Sequence, residues 1–242
     1  MDIERQTAVV MPAFNESASI AKVVREALHK SNCTVLVVDD FSRDATAAEA
    51  GKAGATVIRL ATQLGAWGAT QTGIQHAVQQ GFRNVVTMDA DGQHPADAIS
   101  ALLQPLAEGS ADFSVGSCKR RGSAARHLAW WILRRLSGLQ IDDLTSGLRA
   151  YNDAALRTLS SRQASTLEYQ DVGILVLLKS RGLVGVEIPV TMNERFTGRS
   201  KIFSNWAKVF FYMAYSALLA VSKRGTKKHP RQKVSAPASV HL

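Results

Sequence analysis

Asp89, Asp91 and Gln93 set two carboxylates and an amide oxygen at alternate positions of the run Met88-Asp89-Ala90-Asp91-Gly92-Gln93-His94-Pro95. Oxygen-only donors of this kind suit a hard divalent cation such as Mg²⁺ or Mn²⁺. The apolar stretch Val85-Val86-Thr87-Met88 precedes them and reads as a buried strand. A spacing of two would place all three on one side of an extended chain. Open α/β sheets bind their ligands beyond the carboxyl ends of strands, so a metal-ready strand end points to chemistry on a diphosphate. The same run also suits an ordinary turn, since Asp and Gly are favoured there. A calcium loop of the EF-hand kind fits poorly, because it needs Gly at position six and Glu at position twelve, where His94 and Ser100 stand. His94 reads as a support for the site, or for the start of the next helix, rather than as a ligand.

Such residues need a frame. Thr7–Met11, Thr34–Val38, Ala55–Arg59, Val85–Met88, Asp112–Gly116 and Val184–Val190 read as strands. Ile20–Lys30, Asp44–Lys52, Trp67–Gln80, Pro95–Glu108 and Gln170–Arg181 read as helices, with Pro95 in the early position that a helix tolerates. This alternation predicts an α/β fold, a mostly parallel sheet with helices on both faces. There is no internal repeat. Ser123–Leu139 reads as a basic, aromatic helix containing Trp130 and Trp131. The apolar run within Asn205–Ser222 is shorter than the roughly 20 residues of a spanning helix. It suits either a helix lying in a bilayer interface or one closing the core. No transmembrane segment is expected, although a small membrane-protein partner could complete an anchor.

With 242 residues, 46% hydrophobic and 20% charged, the composition is that of a globular protein. Cys33 and Cys118 stand far apart without metal-ligand spacing, which argues against a disulfide scaffold or a zinc site and fits a reducing compartment. Met1-Asp2-Ile3-Glu4-Arg5 shows no leader pattern, so secretion is not expected. The net charge of +9 is unevenly placed. No Asp or Glu follows Glu194, whereas Arg195, Arg199, Lys201, Lys208, Lys223, Arg224, Lys227, Lys228, Arg231 and Lys233 do. The basic character therefore belongs to the C-terminal end. That argues against a nucleic-acid partner and for an anionic surface, such as a membrane, met by this end.

Two further strand ends carry chemistry. The first runs into Pro12-Ala13-Phe14-Asn15-Glu16, where Pro would stop the ladder, Phe14 can stack on a base and Glu16 can accept from a ribose or base. The second runs into Asp39-Asp40-Phe41-Ser42-Arg43-Asp44-Ala45-Thr46, where a carboxylate can accept from a ribose and Asp44 suits the cap of the following helix. These stretches stand in order with Asp89-x-Asp91-x-Gln93-His94-Pro95, Gly116-Ser117, Thr145-Ser146-Gly147-Leu148-Arg149-Ala150, Glu187-Ile188-Pro189-Val190, Arg195 and Gly198-Arg199-Ser200-Lys201. The set resembles family 2 glycosyltransferases, and within them the dolichol-phosphate mannose synthase and polyprenyl-phosphate glycosyltransferase branch, over about residues 7–205. The sequence departs from the pattern at Cys118, where the family has Arg. It departs again at Gly65-Ala66-Trp67-Gly68, which lacks a Lys, and at Phe14, which replaces a common Tyr.

The resemblance implies a GT-A fold over residues 1–204, while the residue pattern itself reads as an amphipathic or membrane-interface helix over 205–224 and a basic, disordered tail over 225–242. The resemblance also implies that Pro12, Phe14, Glu16, Val38 and Asp40 hold the nucleoside, with Ala90 contacting it through its backbone. Asp89, Asp91 and Gln93 would hold Mg²⁺ or Mn²⁺ on the diphosphate of a nucleoside-diphosphate sugar. Arg195 and Lys201 would close over the diphosphate, and Arg126, with Lys119 or Arg120, would grip the phosphate of a polyprenyl phosphate acceptor. The expected protein is peripheral, on the cytoplasmic face of the membrane. A hydroxyl acceptor on a polysaccharide or glycolipid is the alternative, with Asp143 or Asp171 as its base. A membrane-surface protein without catalysis is a third reading.

Overall fold

The computed structural model describes residues 2–118, 135, 138–139, 141–167 and 172–193. Its strands are β1 (Thr7–Ala13), β2 (Thr34–Asp39), β3 (Thr56–Arg59), β4 (Asn84–Thr87), β5 (Phe113–Ser117), β6 (Arg149–Tyr151) and β7 (Gly185–Pro189). They form one sheet in the order β3-β2-β1-β4-β6-β5-β7. β1 pairs parallel with β2 and β4, β2 with β3, and β5 with β7, while β6 runs antiparallel between β4 and β5. The inner strands β1, β2 and β4 are rich in Val because both of their faces are covered.

The helices are α1 (Ile20–Lys30), α2 (Thr46–Lys52), α3 (Gly65–Gln79), α4 (Ala98–Ala107), α5 (Asp153–Leu159), α6 (Arg162–Ser165) and α7 (Val172–Ser180). Side chains alternate across each strand, so β1 feeds two cores. Ala8 and Val10 pack with Ile74 of α3, Leu156 of α5 and Leu177 of α7. Val9 and Met11 pack with Val23 of α1, Ala50 of α2 and Leu102 of α4. α3 lies close on the sheet at Gly73, where an added Cβ would fall 2.4 Å from Val10 Cγ1 and 2.9 Å from Val38 Cγ2.

Several boundaries differ from the sequence reading. β1 continues through Pro12 and Ala13, which pair with Val38 and Asp39. The ladder survives because the Val10 carbonyl points toward β4, accepting from Met88 N–H at 3.1 Å. Two residues on, the Pro12 nitrogen faces the same side, and there the pairing with β4 has ended at Val10↔Thr87. β6 was not read as a strand, being three residues long with Arg149 at its start. Residues 153–165 were not read as helical. α2 starts at Thr46 rather than Asp44, and α4 at Ala98 rather than Pro95. The Pro95 carbonyl accepts from Ala98 N–H at 3.2 Å in a turn that leads into α4.

Apart from 135, 138 and 139, the expected helix Ser123–Leu139 lies outside the described residues, and so do residues 205–224 and 225–242. Among the described residues no helix is long and apolar enough to cross a membrane.

Candidate active site

The carboxyl ends of β1 and β2 are tied together by polar contacts between the loops that follow them. Asn15 adopts a left-handed backbone, φ 53°. Its N–H donates to Ser42 Oγ at 2.9 Å, and its side-chain oxygen accepts from Arg43 N–H at 2.9 Å. Glu16 N–H donates to Thr46 Oγ1 at 2.8 Å, and Ser17 N–H to Asp44 Oδ2 at 3.2 Å. Asp44 also accepts from the N–H and the hydroxyl of Thr46. Partial burial works against its charge, but the hydrogen bonds from Thr46 and Ser17 outweigh it and hold the carboxyl down at about 2.

Asp39 is fully buried, with Ser42 N–H on Oδ1 at 3.1 Å and Arg59 Nε on Oδ2 at 3.2 Å. Asp40 takes Leu64 N–H on Oδ1 at 2.6 Å and Gly65 N–H on Oδ2 at 2.9 Å. It thus satisfies two orphan donors at the start of α3. Burial raises its pKa above the ordinary carboxylate value, against the pull of the Leu64 and Gly65 N–H groups and with a push from Asp39. Pro12, near the end of β1, and Phe14 and Glu16, on the loop that follows it, are half-buried. The side chain of Val38 is fully buried among core residues. It has no surface to offer a nucleoside, and only its backbone remains for that role.

Beyond β4 the chain does not stay extended, so the alternation expected of Asp89, Asp91 and Gln93 does not hold. It folds into a turn in which Asp91 Oδ1 accepts from Gln93 N–H at 3.0 Å and Gly92 takes φ 81°. Asp91 is buried, whereas the Asp89 side chain is 38% exposed. His94 is buried at 1% exposure, and its Nδ1 accepts from Asp89 N–H at 2.9 Å. Asn193, after β7, closes on this turn by donating its N–H to the Gln93 carbonyl at 2.9 Å.

The Thr-Ser-Gly stretch lies against the end of β4. Thr87 Oγ1 donates to the Gly147 carbonyl at 2.8 Å. A Cβ on Gly147 would lie 2.9 Å from Asp89 Oδ1. Asp143 is buried and committed to Cys118 N–H (3.4 Å), Thr145 N–H (3.2 Å) and the Thr145 hydroxyl (3.3 Å). Glu187 of β7 in turn accepts from the N–H groups of Asp142 and Asp143 at 2.7 and 2.9 Å. Gly147, Glu187 and Asn193 were not singled out for the site from sequence. Only the Thr-Ser-Gly and Glu-Ile-Pro motifs hinted at the first two.

Lys119, Arg120, Arg126, Asp171, Arg195 and Lys201 lie outside the described residues. Among the described residues there is no group of three His, Cys, Asp or Glu side chains suited to a metal. The candidate set is instead two carboxylates and the Gln93 amide on one turn. Such a set fits Mg²⁺ or Mn²⁺, since Mg²⁺ is usually held by one or two carboxylates with waters and substrate phosphates completing the shell.

The sequence profile described as glycosyl transferase family 2 matches residues 8–158. The chain is 31% identical to the undecaprenyl-phosphate mannosyltransferase of Micrococcus luteus, over 80% of this chain and 86% of that one. It is 29% identical to the polyprenol monophosphomannose synthase of Mycolicibacterium smegmatis, over 87% of this chain and 86% of that one. Glucosyl-3-phosphoglycerate synthase from Mycobacterium tuberculosis, solved with Mn²⁺, uridine-diphosphate-glucose and phosphoglyceric acid, matches with a TM-score of 0.67 at 21% identity. That match covers 93% of this chain and 84% of the other. The likeness shows the fold, which is the GT-A arrangement expected from the motifs.

Proposed function

The chain belongs to glycosyl transferase family 2, and from this premise we propose that it moves a sugar from a nucleoside-diphosphate sugar to a polyprenyl monophosphate, with inversion. What carries the reading is near full-length similarity to two relatives named for polyprenyl phosphate acceptors. Pro12, Phe14, Glu16 and Asp40, with the backbones of Val38 and Ala90, bound the nucleoside. Asp89, Asp91 and Gln93 would hold Mg²⁺ or Mn²⁺, which when bound would supply positive charge against the leaving diphosphate. Arg195 and Lys201 add cationic charge to the same group.

One bond forms, from an acceptor phosphate oxygen to the anomeric carbon. One breaks, from that carbon to the diphosphate, which leaves with the electron pair. A phosphomonoester has a second pKa of about 6, so the acceptor is largely ionised at neutral pH and needs no general base. This agrees with Asp143, whose carboxylate is spent on Cys118 and Thr145. Arg126, with Lys119 or Arg120, grips the acceptor phosphate. The cationic stretch beyond Glu194 meets an anionic lipid surface, which makes the protein peripheral on the cytoplasmic face of the membrane.

The reading is tested with purified full-length protein, Mn²⁺, a panel of radiolabelled GDP- and UDP-sugars and undecaprenyl phosphate. We expect label to enter the organic phase with one donor. Asp91→Asn keeps the oxygen that accepts from Gln93 N–H but removes the charge, and should cut transfer by about 10²-fold or more. Transfer undiminished in Asp91→Asn would remove the proposed metal site, and donors that bind without labelling the lipid would remove the acceptor.

A further inference from the structure

We propose that His94 and Gly147 are positioning residues for the Asp89 carboxylate, His94 through a hydrogen-bond donor and Gly147 through the space that its missing Cβ leaves. The inference rests on the reading of Asp89 as a metal ligand. His94 Nδ1 accepts from Asp89 N–H at 2.9 Å, so that nitrogen carries no proton. The neutral ring must then carry its proton on Nε2. That donor is buried, finds no hydrogen-bond partner among the described residues and faces Asp89 Oδ2 at 3.6 Å. The gap is just beyond hydrogen-bond length, and a small rotation of the carboxylate closes it. Doing so satisfies the buried donor and fixes one oxygen of Asp89, leaving the other free to face the cation.

Gly147 bounds the carboxylate elsewhere. The three atoms nearest to an added Cβ all belong to Asp89: Oδ1 at 2.9 Å, Oδ2 at 3.2 Å and Cγ at 3.3 Å. Gly147 is not among the residues with positive φ, so its backbone does not require glycine. What requires glycine is the carboxylate. The Thr87 hydroxyl holds the Gly147 carbonyl and keeps the backbone in place. Ligand-orienting contacts of this kind are worth about 10–100-fold in metal affinity.

The experiment measures free Mn²⁺ by electron paramagnetic resonance during titration of the full chain with GDP or UDP present, alongside thermal melts of the metal-free protein. Gly147→Ala should weaken Mn²⁺ binding about 10-fold or more and leave the metal-free melt in place. His94→Asn, which keeps an acceptor for Asp89 N–H, should melt near wild type yet bind Mn²⁺ as poorly as Gly147→Ala. His94→Gln, which returns a donor near the Nε2 position, should recover much of the affinity. Wild-type Mn²⁺ affinity in both Gly147→Ala and His94→Asn overturns the inference while the proposed function stands. Failure of the wild-type protein to take up Mn²⁺ overturns both, and Mn²⁺ uptake without sugar transfer defeats only the proposed function.

Discussion

Asp40 serves the fold before it serves any ligand. Its two oxygens take the N–H groups of Leu64 and Gly65, and their remaining lone pairs are the ones the proposed function assigns to the nucleoside. Asp40→Ala strips both donors of their acceptor. We expect a loss of about 1–2 kcal/mol of stability, measured by urea unfolding, together with weaker nucleotide binding by calorimetry. Unchanged nucleotide affinity would leave Asp40 a cap alone. The strand-end carboxylates were legible from sequence because their type and their place after apolar runs carry the signal. The turn at Asp91 was legible only as the alternative that Asp and Gly offer, since Gly92 allows the chain to reverse where the spacing suggested an extended course. The contact between Gly147 and Asp89, 58 residues apart, was not legible, since it depends on the pairing of β4 with β6 that local sequence does not encode. Val38 shows the converse. Its motif position suggested a ligand contact, but a Val in a central strand is taken up by the core.

The loops after β1 and β2 act as one unit, because Asp44 binds Ser17 across the gap as well as Thr46. Its pKa lies below that of an unfolded chain, so its stabilising contribution is complete above pH ~4. It is lost as pH falls toward about 2. Asp40, raised instead, contributes in the opposite sense: its share is present at low pH and lost as pH rises through its folded pKa. Melts recorded from pH 2 to 6 should therefore show an acid-side slope that Asp44→Asn flattens. An identical slope in the variant would sever Asp44 from loop pairing. α3 joins these loops to the sheet at Gly73, whose added Cβ would collide with Val10 and Val38. Gly73→Ala should cost about 1–3 kcal/mol through overpacking, and it should weaken nucleotide binding by lifting Gly65 away from Asp40. A more stable Gly73→Ala protein would contradict this close packing. At this scale the long Val-rich strands and the amphipathic α1 were readable. Three-residue β6 offered no period to read, and Pro12 misled because whether its nitrogen faces a paired strand depends on where β4 ends.

Across the whole molecule, charge and fold divide the labour. The sheet gathers carboxylates at one end, and the cations that outnumber them lie beyond Glu194. A donor carrying two phosphates and an acceptor carrying one call for this combination of metal-ready acids and cationic residues. A membrane-bound lipid acceptor gives the C-terminal cations a surface to meet. The central claim is that the acceptor is a phosphate and not a hydroxyl. It is tested most directly by offering undecaprenyl phosphate and undecaprenol, in matched detergent, to the full-length protein with Mn²⁺ and the labelled donor it accepts. We predict label on the lipid phosphate alone, in a product from which mild acid releases the sugar as a glycosyl phosphate would. Label on undecaprenol, or a lipid product that survives mild acid, would contradict it.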